Sequence, residues 1–345
     1  MEGFHPLRTE STDTPAARRT PPADARFAAL LVGLGAILVV MLALFILPSL
    51  KSGPHDLPLG LIGDPAATGK VEQALEAAAP GAWVIESYDS ADDLAEAIRD
   101  RSVVGGLVAT ADRIDALVAS AGSTAISGAL TATATALAGT LGTTVAVTDV
   151  VPLPAGDPTG VGIGGLAFPL VFGGIVPVAA FRALFPRHAG WRYAGLAGFA
   201  VVGGVIVAAV LRFWFGSIEG AFWPVAGAMA LGIAGLALPL AGFQELFGGK
   251  GFTIAAASMM FLGNPFAGIA TTGAWLPAGV GLLGQLLPPG ATGTLVRSVA
   301  YFGAAGGLAA GLTLAAWVAV GILLAALGLR RLNDLERYRD RRARP

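Results

Sequence analysis

From Phe27 to Pro48 the chain reads FAALLVGLGAILVVMLALFILP, without one charged or hydrogen-bonding side chain. At 1.5 Å of rise per residue, a helix of this length spans the roughly 30 Å hydrocarbon core of a bilayer. Lipid offers the backbone no hydrogen-bond partners, so a lone segment of this kind can be accommodated there only as a helix. A secretory signal peptide is the alternative reading. Its apolar core is usually about 7–15 residues long and is followed by a small-residue cleavage site. This run is longer and no such site follows it directly, so it reads as an uncleaved anchor.

Further apolar runs fall at about 161–181, 193–213, 221–243, 252–276 and 304–328, with a weaker stretch at about 278–302. Across the 345 residues, 54% are hydrophobic and only 13% charged, about half the charged share of an ordinary soluble domain. The 49 glycines suit membrane helices, where small residues let backbones approach closely. The expected fold is therefore an α-helical integral membrane protein with six transmembrane helices. Residues 1–26, rich in Pro, Thr and charge, are expected to be a disordered tail, and residues 330–345 a basic one.

Residues 51–160 have a different character. LPLGLIG (57–63) and AWVIES (82–87) read as strands, and KVEQALEAA (70–78) as an amphipathic helix. Ser90 opens a helix with acids in its first turn and Arg99 near its end, as the helix dipole favours. Strands at 103–110 and 114–120, a Ser/Thr/Ala-rich helix at about 123–140 and a strand at 144–153 complete the order β-α-β-α-β-β-α-β. That order predicts a small α/β domain inserted between the first two membrane helices.

Lys and Arg counts orient the chain. The tail 1–26, the loops 182–192 and 244–251 and the C-terminus carry about 4, 3, 1 and 7 basic residues, against Arg212 and Arg297 in the opposite short loops. Both termini are then expected in the cytoplasm and the α/β domain outside. A composition rich in Ala, Gly and Arg and poor in Lys reads as bacterial, which makes the plasma membrane the expected location. No basic face suggests nucleic-acid binding. With no cysteine and three histidines far apart, no metal site or cofactor is expected.

Two glycine-rich segments resemble phosphate loops. GDPAATGK (63–70) has one residue too many between its glycines, and Val71 stands where Ser or Thr would hold magnesium. GVGIGG (160–165) opens an apolar run without a strand before it, and reads as a close-packing motif. The centres of the expected spans carry no Asp, Glu, Lys or His. Ion-coupled carriers usually bury carboxylates there, and intramembrane hydrolases need a catalytic constellation. Both classes are disfavoured, and no enzyme is expected.

Polar residues gather in the fifth span, where Asn264-Pro265 should break the helix. Beyond it, two short apolar pieces about Gln285 and Arg297, separated by Pro288-Pro289-Gly290, read as a re-entrant pair with Arg297 at the lipid headgroups. The alternative is an ordinary loop with a snorkelling arginine.

This region carries a resemblance. Gly263-Asn264-Pro265, Gly268, Leu276-Pro277, Leu283-Gly284-Gln285, Leu287-Pro288-Pro289-Gly290-Ala291 and Leu295 to Phe302, after a first helix and a large insertion, resemble the permeases of ABC type-2 exporters. The phage infection protein (YhgE/Pip-like) branch of bacterial membrane proteins is the nearest in kind. Phe266-Ala267 departs from the Leu-Ser of that pattern. The resemblance implies an exporter subunit for an amphipathic or lipid-like substrate, a homodimer or paired permease driven by a separate cytoplasmic ATPase. Asn264, Pro265, Gln285, Pro288, Pro289 and Arg297 would line its path. The loop RALFPRHAGWR (182–192) would dock the ATPase through Phe185, Arg187 and Trp191, or be a plain positive-inside loop. The competing reading is a membrane scaffold or surface receptor whose outer domain binds a partner.

Overall fold

The computed structural model describes residues 22–110 and 112–342. It divides into two units, one ending at Ala43 and the other beginning at Leu44. Helix α1, Ala23–Leu50, contains the whole of the first apolar run. The expected tail 1–26 lies outside the described residues up to residue 21, and its last four residues belong to α1.

Within the second unit the order β1 (Leu57–Ile62), α2 (Pro65–Ala78), β2 (Trp83–Ser87), α3 (Ala91–Arg99), β3 (Gly106–Ala109), β4 (Arg113–Val118), α4 (Thr124–Leu141), β5 (Thr144–Asp149) matches the expected succession. The strands form one mixed sheet, β2-β1-β3-β4-β5, parallel except for the β3–β4 hairpin. Alternation along the strands selects its two faces. Leu57, Leu59, Leu61, Leu107, Ile114 and Ala116 pack with Val71 and Leu75 of α2 and Ile126 and Leu130 of α4. On the other face, Val108 and Leu117 pack with Leu94 and Ile98 of α3. Ser90 Oγ accepts the amide of Asp93 at 3.1 Å and donates to its carboxylate at 2.6 Å, which fixes the start of α3. GDPAATGK is the β1–α2 turn and the first turns of α2, begun by Pro65.

The remaining helices are α5 (Val161–Gly164), α6 (Ala167–Leu184), α7 (Ala189–Ala209), α8 (Phe222–Ser258), α9 (Val280–Leu286), α10 (Pro288–Tyr301) and α11 (Leu308–Arg342). Asp157 caps α5 by accepting the amides of Val161 and Gly162 at 2.9 and 2.8 Å. The glycines of GVGIGG pack closely, Gly162 against Ser217 and Gly164 on Ala270. Helix α11 continues through most of the expected C-terminal tail, to Arg342.

Among the described residues six helices are long and apolar enough to cross a membrane, those of a multi-pass membrane protein, but their membership differs from the expected six. Thr124–Leu141 qualifies by length, yet it is α4, and its apolar stripe is the cover of the sheet. Phe222–Gly263 counts once but holds two arms. At Gly248 (φ 69, ψ −159) the helical path is interrupted. Ala237, Leu240 and Ala241 of the first arm pack with Ala255 and Ala256 of the second, so the chain folds back there as a hairpin. The second arm, 249–263, reaches only about 22 Å at 1.5 Å per residue. The expected span 252–276 is therefore not one continuous helix: it ends in a π-helical turn, Met259–Gly263, directly before Asn264-Pro265.

Close glycine contacts hold the bundle together. A Cβ on Gly204 of α7 would collide with the carbonyl of Ala226 and lie 2.7 Å from the amide of Ala230, both backbone atoms of α8. Gly204→Ala should therefore force α7 from α8 and destabilise the fold by about 1–3 kcal/mol. Gly198→Ala, on the same helix with open space around it, should leave the fold unharmed. Thermal denaturation of the detergent-solubilised variants distinguishes the two, and equal midpoints would show that the α7–α8 contact is not tight.

Candidate functional site

The segment 264–279 lies between the shortened arm of α8 and the pair α9–α10. Having left the helix, its carbonyls require other donors. Gln285 Nε2 donates to Ala267 O at 3.0 Å, and Arg297 Nη2 to Ile269 O at 2.7 Å. Thr294 Oγ1 locks Gln285 in place by donating to its Oε1 at 2.6 Å. Glycines permit the approach: a Cβ on Gly284 would strike Phe266 O, one on Gly281 would strike Gly273 O, and one on Gly293 would lie 2.6 Å from Ile269.

The structure thus brings Asn264, Pro265, Gln285, Pro288, Pro289 and Arg297 into one region, with two corrections. Pro288-Pro289-Gly290 is not a linker. The break falls at Leu287, and the prolines occupy the first turn of α10, where a missing amide costs no hydrogen bond. Nor is Arg297 open to lipid headgroups: it is 7% exposed and engaged with the backbone of Ile269. The residues of the pair that are exposed are Leu282, Leu283 and Leu286.

The same region is the seat of the sheet domain. Trp275 packs against the sheet core, its carbonyl accepts the amide of Gly53 at 3.0 Å, and Phe302 joins the cluster around α3. A cavity of about 450 Å³ opens along this seam. The sheet domain contributes His55, Asp56, Ile98, Arg101 and Ser123 to its walls, and the seat Thr272, Ala274 and Phe302. Ser123 caps α4 by accepting the amide of Ile126 at 3.3 Å. Burial holds the Arg101 guanidinium below its ordinary pKa, because a cation loses hydration there.

A second site lies at the far end of the bundle, roughly 35 Å along α8 from Phe222 at 1.5 Å per residue. Glu245, 8% exposed, accepts from Arg192 Nη2 and from Arg182 Nη1, the latter at 3.1 Å. Arg192 also donates to the carbonyls of Phe185 and Pro186 at 3.3 and 2.9 Å, which fixes the shape of the loop. Phe185 and Trp191 stack with ring centroids 6.3 Å apart, and Trp191 is 66% exposed. Arg187 is exposed. Exposed Trp214 and Trp223 lie toward the opposite end, so the tryptophans also suit the aromatic belts of a bilayer.

Sequence reasoning missed Arg192, Glu245 and Arg101. Arg192 and Glu245 were visible only as charges at the ends of separate spans. Nothing in the sequence around Arg101 marks it as a site residue. No family model, characterised protein or solved structure matches the chain.

Removing one partner of a buried pair strands the other charge. Arg192→Ala and Glu245→Ala should each destabilise the protein by about 3–5 kcal/mol, and the double variant by clearly less than their sum. Arg182→Ala, at a side chain 38% exposed, should cost about 1 kcal/mol or less. Unfolding in graded denaturing detergent measures all four, and additive effects would mean that Arg192 and Glu245 do not act as a pair.

Proposed function

We propose that this protein is the permease subunit of an ABC type-2 exporter, working with a separate ATPase on an amphipathic or lipid-like substrate. The observation that supports this reading most is the interrupted helix at Gly263, followed by a non-helical segment and two short helices inside an otherwise helical bundle. Irregular backbone at membrane depth is tolerated only where protein buries it or a water-filled cavity borders it. In transporters, discontinuous helices of this kind form the substrate site. Gln285 and Arg297 would then be positioning residues that hold the irregular segment open along the path, and Leu282, Leu283 and Leu286 would face lipid. The segment 182–192, whose loop 185–188 is shaped by Arg192 and Glu245, would be the ATPase dock on the cytoplasmic side, with the sheet domain outside. Two copies would assemble around the path.

A surface receptor is the second reading. The seam cavity favours it, because a receptor needs a binding site in its outer domain and transport does not.

The absence of native cysteines gives a clean test of sidedness. On intact cells an impermeant maleimide should label Asp92→Cys and Glu219→Cys and spare Arg187→Cys. The reverse pattern would invert the orientation and remove the dock.

Coupling predicts that an ATPase copurifies after gentle solubilisation and that a cysteine at Phe185 or Trp191 cross-links to it. Loss of an aromatic anchor of about 2 kcal/mol, by Trp191→Ala, should weaken that association about 30-fold while insertion is unchanged. If no ATPase is captured in either experiment, the exporter reading fails and the receptor reading takes its place.

A further inference from the structure

Helix α3 ends at Arg99, and the next residues close it in a pattern that demands a left-handed backbone. Arg101 N donates to Ile98 O at 3.1 Å and Ser102 N to Ala97 O at 2.9 Å, with Arg101 at φ +62. Glycine is the usual occupant of such a position, and a residue with a Cβ adds strain there. An arginine in glycine's place suggests that the side chain has a use.

That side chain turns into the seam cavity. Its stem lies against Gly306, where an added Cβ would be 3.2 Å from Arg101 Cδ. The guanidinium carbon is 5.1 Å from the ring centroid of Phe302, which covers one face. Among the described residues no carboxylate pairs with it: the ion pairs are Arg113–Asp115, Arg182–Glu245 and Arg192–Glu245. Nη1 is enclosed and has no hydrogen-bond partner. Arg101 as a whole is half-buried, but an enclosed polar atom without a partner is costly.

The surroundings suit an anion with an apolar body. Ser123 lines the cavity at the N-terminal end of the 18-residue α4, whose first amides have no intrahelical acceptor. It also lines the adjoining crevice bordered by Arg297, the buried arginine at this seam. The charged or titratable lining residues are His55, Arg101 and a single carboxylate, Asp56. Ile98, Val103, Ile126 and Phe302 make the apolar wall. The volume falls within the roughly 300–1,000 Å³ of small-molecule sites.

We infer that the seam cavity binds an anionic amphiphile, its carboxylate or phosphate head paired with Arg101 and its apolar body laid along Ile98, Val103, Ile126 and Phe302. The head completes the guanidinium's hydrogen bonds, and the ligand touches the sheet domain and its seat together. This site does not depend on the exporter reading, since a receptor would use it equally.

The test uses the full chain in phosphatidylcholine nanodiscs, with octyl phosphate, inorganic phosphate and octanol as probes and the thermal midpoint as readout. Octyl phosphate should raise the midpoint saturably, inorganic phosphate less, and octanol not at all. Arg101→Gly should weaken the octyl phosphate effect about 10- to 100-fold, and Arg101→Lys, which lacks the planar fork, less severely. Without ligand, Arg101→Gly loses the packing on Gly306 and Phe302 but also the backbone strain and the unpaired charge, so its midpoint should stay close to that of wild type. Asp56→Asn should tighten binding a few-fold by removing the carboxylate. Discs doped with phosphatidylglycerol distinguish the source of the head: if membrane lipid fills the cavity, they raise the wild-type midpoint and abolish the octyl phosphate effect, and if a free amphiphile fills it, that effect is unchanged. No saturable effect in either disc would overturn the site, as would equal responses of wild type and Arg101→Gly, or an effect of octanol as large as that of octyl phosphate.

Discussion

Between Gly263 and Val280 the backbone leaves its helix, and its carbonyls have to be met by whatever surrounds them. That requirement organises much of the second unit. Gln285 and Arg297 reach Ala267 O and Ile269 O because α9 and α10 come close enough, and they come close because Gly281, Gly284 and Gly293 have no side chains at the contacts. An unmet buried carbonyl costs about 1–3 kcal/mol, so each of these hydrogen bonds matters individually. The same irregular segment supplies Trp275, and the end of α10 supplies Phe302, to the sheet domain. The break in the helix and the seating of the domain therefore belong to one piece of structure.

The sequence revealed features whose cause is local. The order of strands and helices in the sheet domain follows from period-2 and period-3.6 patterns and from the cap at Ser90. The end of a helix at Asn264-Pro265 follows from proline's missing amide. Features whose cause lies far along the chain escaped. Arg297 finds its partner 28 positions away in a backbone carbonyl, and a carbonyl carries no residue type to recognise. Arg192 and Glu245 are 53 positions apart. Hydropathy alone misplaces α4, which is apolar enough to cross a bilayer but spends that face on the sheet. Pro288-Pro289 was legible as a boundary and misread as a linker, since proline ends one helix and begins another with equal ease.

The two ends of the bundle handle buried charge differently. At one end a single carboxylate, Glu245, accepts from two arginines, and the arginine more deeply buried also takes two loop carbonyls. At the other end the arginines have no carboxylate within pairing distance among the described residues. Arg297 is served by Ile269 O, while Arg101 has an aromatic face and an unfilled Nη1. In a low-dielectric setting, fixed dipoles can replace a counter-ion only when they are aimed at the charge.

Arg101 also bears on what joins the sheet domain to its seat. Its backbone closes α3 in the sheet domain, its stem packs on Gly306, and its guanidinium lies over Phe302 at the end of α10. One side chain thus spans the seam. Tyr301, next to Phe302, donates to Ser217 O at 2.8 Å, in the turn where α7 gives way to α8. Thr292 of α10 packs on Gly232 of α8, the helix whose first arm ends beside Glu245. The sheet domain therefore rests on α10, and α10 in turn rests on the first arm of α8. At Gly204, Gly232 and Gly242 the neighbouring helices leave no room even for a Cβ, so these junctions are closely packed, and close-packed interiors transmit strain instead of absorbing it.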